Sequence, residues 1–188
     1  MIKTLLKDWR TCFTFKEILE IYWGNEESLR HVLVRYKKQW ILLNPKNWIW
    51  ALPSHNQEEL AWKLFPGWYL SLERVLFEVW VSFQWYWNSF QYIWNKASEI
   101  HVEDETYSSF SIKKEIYESD LYIQDLWTYR KAMPERALCD LVYLRPNAQF
   151  DNPQYFNNEQ SFRKFNKLFP LYPKSTQKNV MKLITQQI

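Results

Sequence analysis

The run SLRHVLVRYKKQWILLNPKNWIWAL, residues 28–52, decides how this chain is built. Leu29, Val32, Leu33 and Tyr36 recur at the i, i+3, i+4, i+7 spacing of a helix packed on one face. Asn25 stands where an N-cap is needed, its side-chain oxygen able to take up an amide that the first turn leaves open. Beyond the helix, two short apolar runs flank Asn44, Pro45, Lys46 and Asn47, the pattern of a β-hairpin. Upstream, Phe15, Ile18, Leu19 and Tyr22 mark a second helix that Thr14 and Glu17 cap reciprocally, and Ile2, Leu5, Leu6 and Trp9 mark another before it. Trp23 and Gly24 form the short turn into the helix at 26–39.

Three helices followed by a hairpin is the element order of a winged helix-turn-helix, and residues 1–53 are expected to form such a domain. In a helix-turn-helix the second helix of the pair enters the major groove of DNA. With the core stripe of the 26–39 helix turned inward, a rotation of about 100° per residue puts Glu27, His31, Val34, Arg35 and Lys38 on the opposite side. Arg30 and Lys37 fall on its flanks. Arginine and lysine there can reach guanine edges or phosphates, and Lys46 and Asn47 at the hairpin tip suit backbone or minor-groove contact. The expected DNA-binding set is therefore Arg30, His31, Arg35, Lys37, Lys38, Lys46 and Asn47. Such charges also fit an ordinary solvated helix face, but the order of elements and the basic hairpin tip favour double-stranded DNA as the partner.

Past Pro53, residues 54–188 read as a second domain. Helices are expected near 56–65, through Leu60, Ala61, Leu64 and Phe65, and at 71–79, through Leu72, Val75, Leu76 and Val79, with Ser71 capping the latter. Period-two alternation in FQYIW, SEIHVE, YSSFSI and SDLYIQ, from about 89 to 125, predicts a small antiparallel sheet with turns at Asn95 and near Asp104. A helix from Pro134 to Leu144 follows, with proline at its first position, then a polar loop and two helices near 159–169 and 175–187. The class is α+β: an N-terminal winged helix-turn-helix, then a mixed domain with a small antiparallel sheet and C-terminal helices.

Composition sets the outer limits. The 188 residues are 47% hydrophobic and 24% charged, a globular balance without the apolar depletion of disorder. No apolar run approaches the ~18 residues that span a bilayer. Lys3, Lys7, Asp8 and Arg10 stand where a signal peptide needs an apolar region, so no membrane is expected and a cytoplasmic location is. Cys12 and Cys139, far apart in sequence, form neither a ligand cluster nor a disulfide framework and read as small buried apolar residues. Lys plus Arg against Asp plus Glu runs 9 to 5 over residues 1–50, 9 to 14 over 51–150 and 6 to 2 over 151–188. A basic head on a more acidic body points to a polyanion as the head's partner.

Glycine is scarce and tryptophan abundant. At a usage near 7% a chain of this size would hold roughly 13 glycines; this one holds Gly24 and Gly67 beside twelve tryptophans. Trp48 follows Asn47 where an Asn-Gly pair would make a tight hairpin turn. Trp40 and Trp80 follow helical stretches where a left-handed terminator is expected and glycine costs least. The expectation is that many of these tryptophans stand for glycine, through UGA codons read as glycine in the native lineage. A hairpin carrying a real Trp48 should be distorted or widened at its turn. The competing reading is genuine tryptophans that form a ligand- or carbohydrate-binding surface.

Catalysis has little support. His31, His55 and His101 lack metal-ligand spacing, no Gly-rich phosphate loop is present, and Glu103, Asp104 and Glu105 read as a solvated turn. Asp140 reads as a buried hydrogen-bonding residue without an identified acid–base partner. No catalytic residue, cofactor or metal ligand is expected, and the chain reads as a non-enzyme.

FPGWYLSLERVLFEVWVS, residues 65–82, and YRKAMPERALCDLVYL, residues 129–144, together resemble the AbiEi antitoxins of type IV toxin–antitoxin systems. The family pattern is close to PGxYxSLExAL followed by APEKALLDLLYL, and residues 33–52 resemble its helix and wing, with glycine at the places of Trp40 and Trp48. The resemblance, from about Phe13 onward, implies a winged helix that binds inverted repeats in its own promoter. It also implies a C-terminal domain that counters a nucleotidyltransferase toxin without a stable complex, the alternative being a stand-alone regulator with no toxin. Only Arg30, Arg35, Lys37, Lys38 and Lys46 match the family's basic helix and wing in kind.

Overall fold

Capped helix ends and one buried face per helix set the N-terminal architecture. The computed structural model describes residues 2–83, 88–126 and 129–185, in two compact units, Met1–Pro66 and Gly67–Ile188. The first unit comprises α1 (Ile2–Leu5), β1 (Cys12–Thr14), α2 (Phe15–Tyr22), α3 (Glu26–Lys38), β2 (Leu43–Lys46), β3 (Ile49–Ala51) and α4 (Gln57–Leu64). Thr14 and Glu17 make the capping box of α2, and the Asn25 side chain accepts the Ser28 amide at 2.8 Å to begin α3. Leu29 and Leu33 turn inward onto Leu5, Phe13, Ile18 and Leu42. The first helix is shorter than its stripe predicts, with Leu6 and Trp9 exposed. The Asp8 carboxylate draws in the Arg10 amide and guanidinium and holds a turn there instead.

A three-stranded sheet of order β1-β3-β2 closes this unit. The hairpin places Lys46 opposite Ile49 across Asn47 and Trp48, of which only Trp48 is left-handed, at φ 71°. The turn is tight, and the irregularity expected there lies beside it, between Leu43 and Lys46, where Pro45 has no amide to give the ladder. The Asn44 side-chain amide spans the gap by donating to the Lys46 and Ile49 carbonyls, each at 2.9 Å. The segment after Pro53 continues the same unit. Within α4, Leu60, Ala61 and Leu64 are buried, and the Glu59 carboxylate accepts the Thr11 amide at 2.8 Å and the Cys12 amide at 3.1 Å. The compact unit accordingly runs to Pro66, where the sequence puts a boundary after Pro53.

The second unit comprises β4 (Tyr69–Leu70), α5 (Leu72–Glu78), β5 (Ser89–Trp94), β6 (Ser98–Val102), β7 (Glu105–Ser111), α6 (Lys114–Tyr117), β8 (Ile123–Leu126), β9 (Tyr129–Ala132), α7 (Pro134–Leu144), α8 (Glu159–Leu168) and α9 (Lys174–Thr185). Among the described residues its sheet has six strands in the order β6-β7-β5-β4-β9-β8, mixed rather than small and antiparallel. Strand β6 pairs, among the described residues, with β7 alone, at the edge, and β7 returns alongside β5 in parallel. The two-residue β4, too short to show a period, pairs in parallel with β9. Helix α7 is buried from Glu135 to Val142 and packs on α5, α8 and α9. Ser71 occupies the N-cap of α5 without capping it, because its hydroxyl donates to Asp140 at 2.9 Å instead. The end of the last expected helix, residues 186–187, lies outside the described residues. The fold is mixed α+β, and no described helix is long and apolar enough to cross a membrane.

Candidate nucleic-acid interface

The stripe that buries Leu29 and Leu33 leaves Arg30, His31, Val34, Arg35, Lys37 and Lys38 exposed along α3. Glu26 and Glu27 sit in its first turn, and Arg35, Lys37 and Lys38 in its last, where the helix dipole favours each sign. Val34 is 51% exposed amid these cations, an apolar group of the kind that meets a thymine methyl. Lys46 and Asn47 are exposed at the hairpin tip, so every candidate predicted from sequence reaches the surface of one unit.

The structure divides those candidates. A groove of about 500 Å³ between α3 and the hairpin takes in Arg30, Val34 and Lys37 on one side and Asn44, Asn47 and Trp48 on the other, over Phe15, Leu33 and Trp50. His31, Arg35, Lys38 and Lys46 do not line it. The Arg30 guanidinium lies 4.5 Å from the Trp48 ring centre and 5.0 Å from that of Phe15, two cation–π contacts, and 3.6 Å from the Glu26 carboxylate. Arg30 is thereby held in the groove, whereas Arg35 makes one ring contact, 5.7 Å over Tyr36. Phe15 and Asn44 shape this site and were not among the expected residues. Asn44 precedes a proline in the hairpin, and that asparagine-proline pair is the signal that could have pointed to it.

Asp140, the other residue singled out by sequence, sits in a closed polar cluster. Its carboxylate accepts from the hydroxyls of Tyr69 at 3.0 Å, Ser71 at 2.9 Å and Tyr172 at 2.6 Å, and from Arg136 Nε at 3.2 Å. Arg136 also donates to the carbonyls of Ile116 at 2.6 Å and Leu121 at 3.2 Å. Asp140 and Arg136 are both fully buried. Burial opposes the charge on Arg136, but the Asp140 carboxylate beside it prevails and raises its pKa above the ordinary arginine value. Burial first, and Asp140 second, push the Tyr69 and Tyr172 hydroxyls well above the usual tyrosine value. Glu135, buried at the start of α7, accepts from the Ser161 hydroxyl at 3.0 Å and the Lys164 ammonium at 2.9 Å, tying α8 to α7. The PERALCD segment is thus a fastening of the second unit.

Among the described residues no group of three or more His, Cys, Asp or Glu is placed to hold a metal. His31 is exposed, His55 Nδ1 lies 3.1 Å from the Leu52 carbonyl, and His101 stands by Glu99 and Thr106. Neither a protein-family model nor a curated protein matches this chain.

Proposed function

We propose that this protein is a DNA-binding regulator whose N-terminal unit works as a winged helix, α3 entering the major groove and the β2–β3 hairpin serving as the wing. One observation carries the reading: an exposed cationic face on a capped helix stands beside an exposed Lys46–Asn47 turn, with the opposite helix face buried. In this reading His31 faces the groove floor, Val34 contacts a thymine methyl, Arg35 and Lys38 reach the phosphates that border the groove, and Lys46 neutralises another from the wing. The resemblance of the SLE and PERAL segments extends the proposal. It makes the protein the autorepressing antitoxin of a type IV toxin–antitoxin pair, acting on inverted repeats upstream of its own gene and against a nucleotidyltransferase toxin.

Gel-shift titration of the protein on its own upstream DNA, across a range of salt, tests the first part. Arg35→Ala combined with Lys38→Ala should weaken binding and make the slope of log K against log salt shallower by about 1.8, the release expected when two phosphate contacts are lost. A double variant as tight as its parent at every salt concentration would refute the assignment of α3. A nucleotidyltransferase-like reading frame directly downstream separates the antitoxin from a stand-alone regulator.

A further inference from the structure

Seven described residues other than glycine have a left-handed backbone, and four of them are tryptophans: Trp23 at φ 60°, Trp40 at 55°, Trp48 at 71° and Trp80 at 59°. Nine tryptophans fall among the described residues, so nearly half of them occupy a region that a few per cent of non-glycine residues visit. Their hydrogen bonds repeat one pattern. After α3, the Trp40 amide donates to Lys37 and the Ile41 amide to Tyr36; after α5, the Trp80 amide donates to Phe77 and the Val81 amide to Leu76. Both are complete Schellman terminators with tryptophan at the position that glycine usually fills. Trp23 ends α2 in the same left-handed conformation. Trp48 is the second central residue of the hairpin turn, and positive φ there calls for glycine or asparagine.

Every left-handed tryptophan is also exposed, although Trp9 is 67% exposed at an ordinary φ. Trp23, Trp40, Trp48 and Trp80 are 53–96% exposed. Trp50 and Trp68 are buried at ordinary φ, and the Trp68 ring sits 4.3 Å from that of Tyr92. We infer that positions 23, 40, 48 and 80 are glycine positions, encoded by UGA and read as glycine where the protein is made, whereas Trp50 and Trp68 are true tryptophans encoded by UGG. At the proposed DNA surface, and resting on that proposal, glycine at 48 removes the nearer of the two rings that hold Arg30 and opens its guanidinium to a phosphate.

Three measurements test this. The gene should carry UGA at positions 23, 40, 48 and 80 and UGG at 50 and 68; UGG at positions 23, 40 and 80 overturns the inference. Trp23→Gly, Trp40→Gly and Trp80→Gly should each raise the thermal midpoint, by roughly 2–4 °C, while Trp50→Gly and Trp68→Gly lower it. Three exposed-site substitutions that leave the midpoint unchanged or lower also overturn it. The chain with all four glycines should bind its upstream DNA with a salt slope steeper by about 0.9, one added phosphate contact. A stabilised four-glycine chain that ignores DNA at low salt leaves the glycine assignment standing and refutes the DNA reading. One that binds with an unchanged salt slope refutes the role given to Arg30.

Discussion

Replacing Asp140 by asparagine probes the tightest cluster in the second unit with almost no change of shape. The carboxylate takes two donors on each oxygen: Tyr69 and Ser71 on Oδ2, Arg136 and Tyr172 on Oδ1. An amide keeps one acceptor oxygen and turns the other into a donor, so one of these pairs loses its acceptor. The Ser71 hydroxyl can rotate to accept, which makes the oxygen facing Arg136 the better-kept one. The guanidinium still loses its counter-charge in a site with no solvent, and breaking a buried ion pair from one side costs about 3–5 kcal/mol. That is a large share of the ~5–15 kcal/mol that holds a typical domain together. Urea unfolding followed by tryptophan fluorescence, to which the buried Trp68 contributes, should show the midpoint falling with little change in slope. Pairing Asp140→Leu with Arg136→Met should cost less than the sum of the two single changes by at least ~1 kcal/mol, because neither partner is then left charged and alone. An Asp140→Asn chain within ~1 kcal/mol of the parent, or a strictly additive double variant, would refute the view that the cluster is held by this pair.

Other consequences are more local. Burial alone would raise the Glu17 pKa, but hydrogen bonds from Lys63 and Thr14 outweigh it and hold the group below its ordinary value. The stabilisation is therefore complete above the unfolded value of about 4.3 and is lost as pH falls through the lower folded value. Acid unfolding of the first unit should begin below that pH and flatten in Glu17→Gln, and an unaltered acid profile in the variant would contradict this. Glu59→Ala should cost about 2–4 kcal/mol by stranding the Thr11 and Cys12 amides, read by denaturant unfolding, whereas a loss below ~0.5 kcal/mol would mean that β1 holds without it. Lys46→Ala should weaken upstream DNA and scrambled DNA alike and leave the thermal midpoint unchanged; selective loss on the upstream sequence would make Lys46 a base reader rather than a phosphate contact.

What the sequence discloses depends on how local the cause is. The Thr14–Glu17 box and Pro134 at the first position of α7 act within a few residues, and both helices start where those signals stand. The parallel β5–β7 pair was hidden because alternation reveals a strand but not its neighbour or direction. Ser71 looked like a cap by type and position, yet a carboxylate 69 residues further on claims its hydroxyl. The candidate DNA face was legible because helix periodicity alone decides which side of α3 is wet. Its division into groove and outer residues was not, since Phe15 and the hairpin reach Arg30 only after the unit has closed.

The tether between Glu59 and the start of β1 also imposes an order on folding during synthesis. Thr11 leaves the ribosome 48 residues ahead of the carboxylate that receives its amide. At bacterial to eukaryotic elongation rates of about 5–20 residues per second, that interval lasts roughly 2–10 s. Through it α2 and α3 can form as capped helices and β3 emerges to pair with β1, while the Thr11 and Cys12 amides still lack their acceptor. The first unit of the nascent chain therefore locks only when α4 has emerged, so the helix that follows the hairpin sets the moment at which the helices before it become a rigid body.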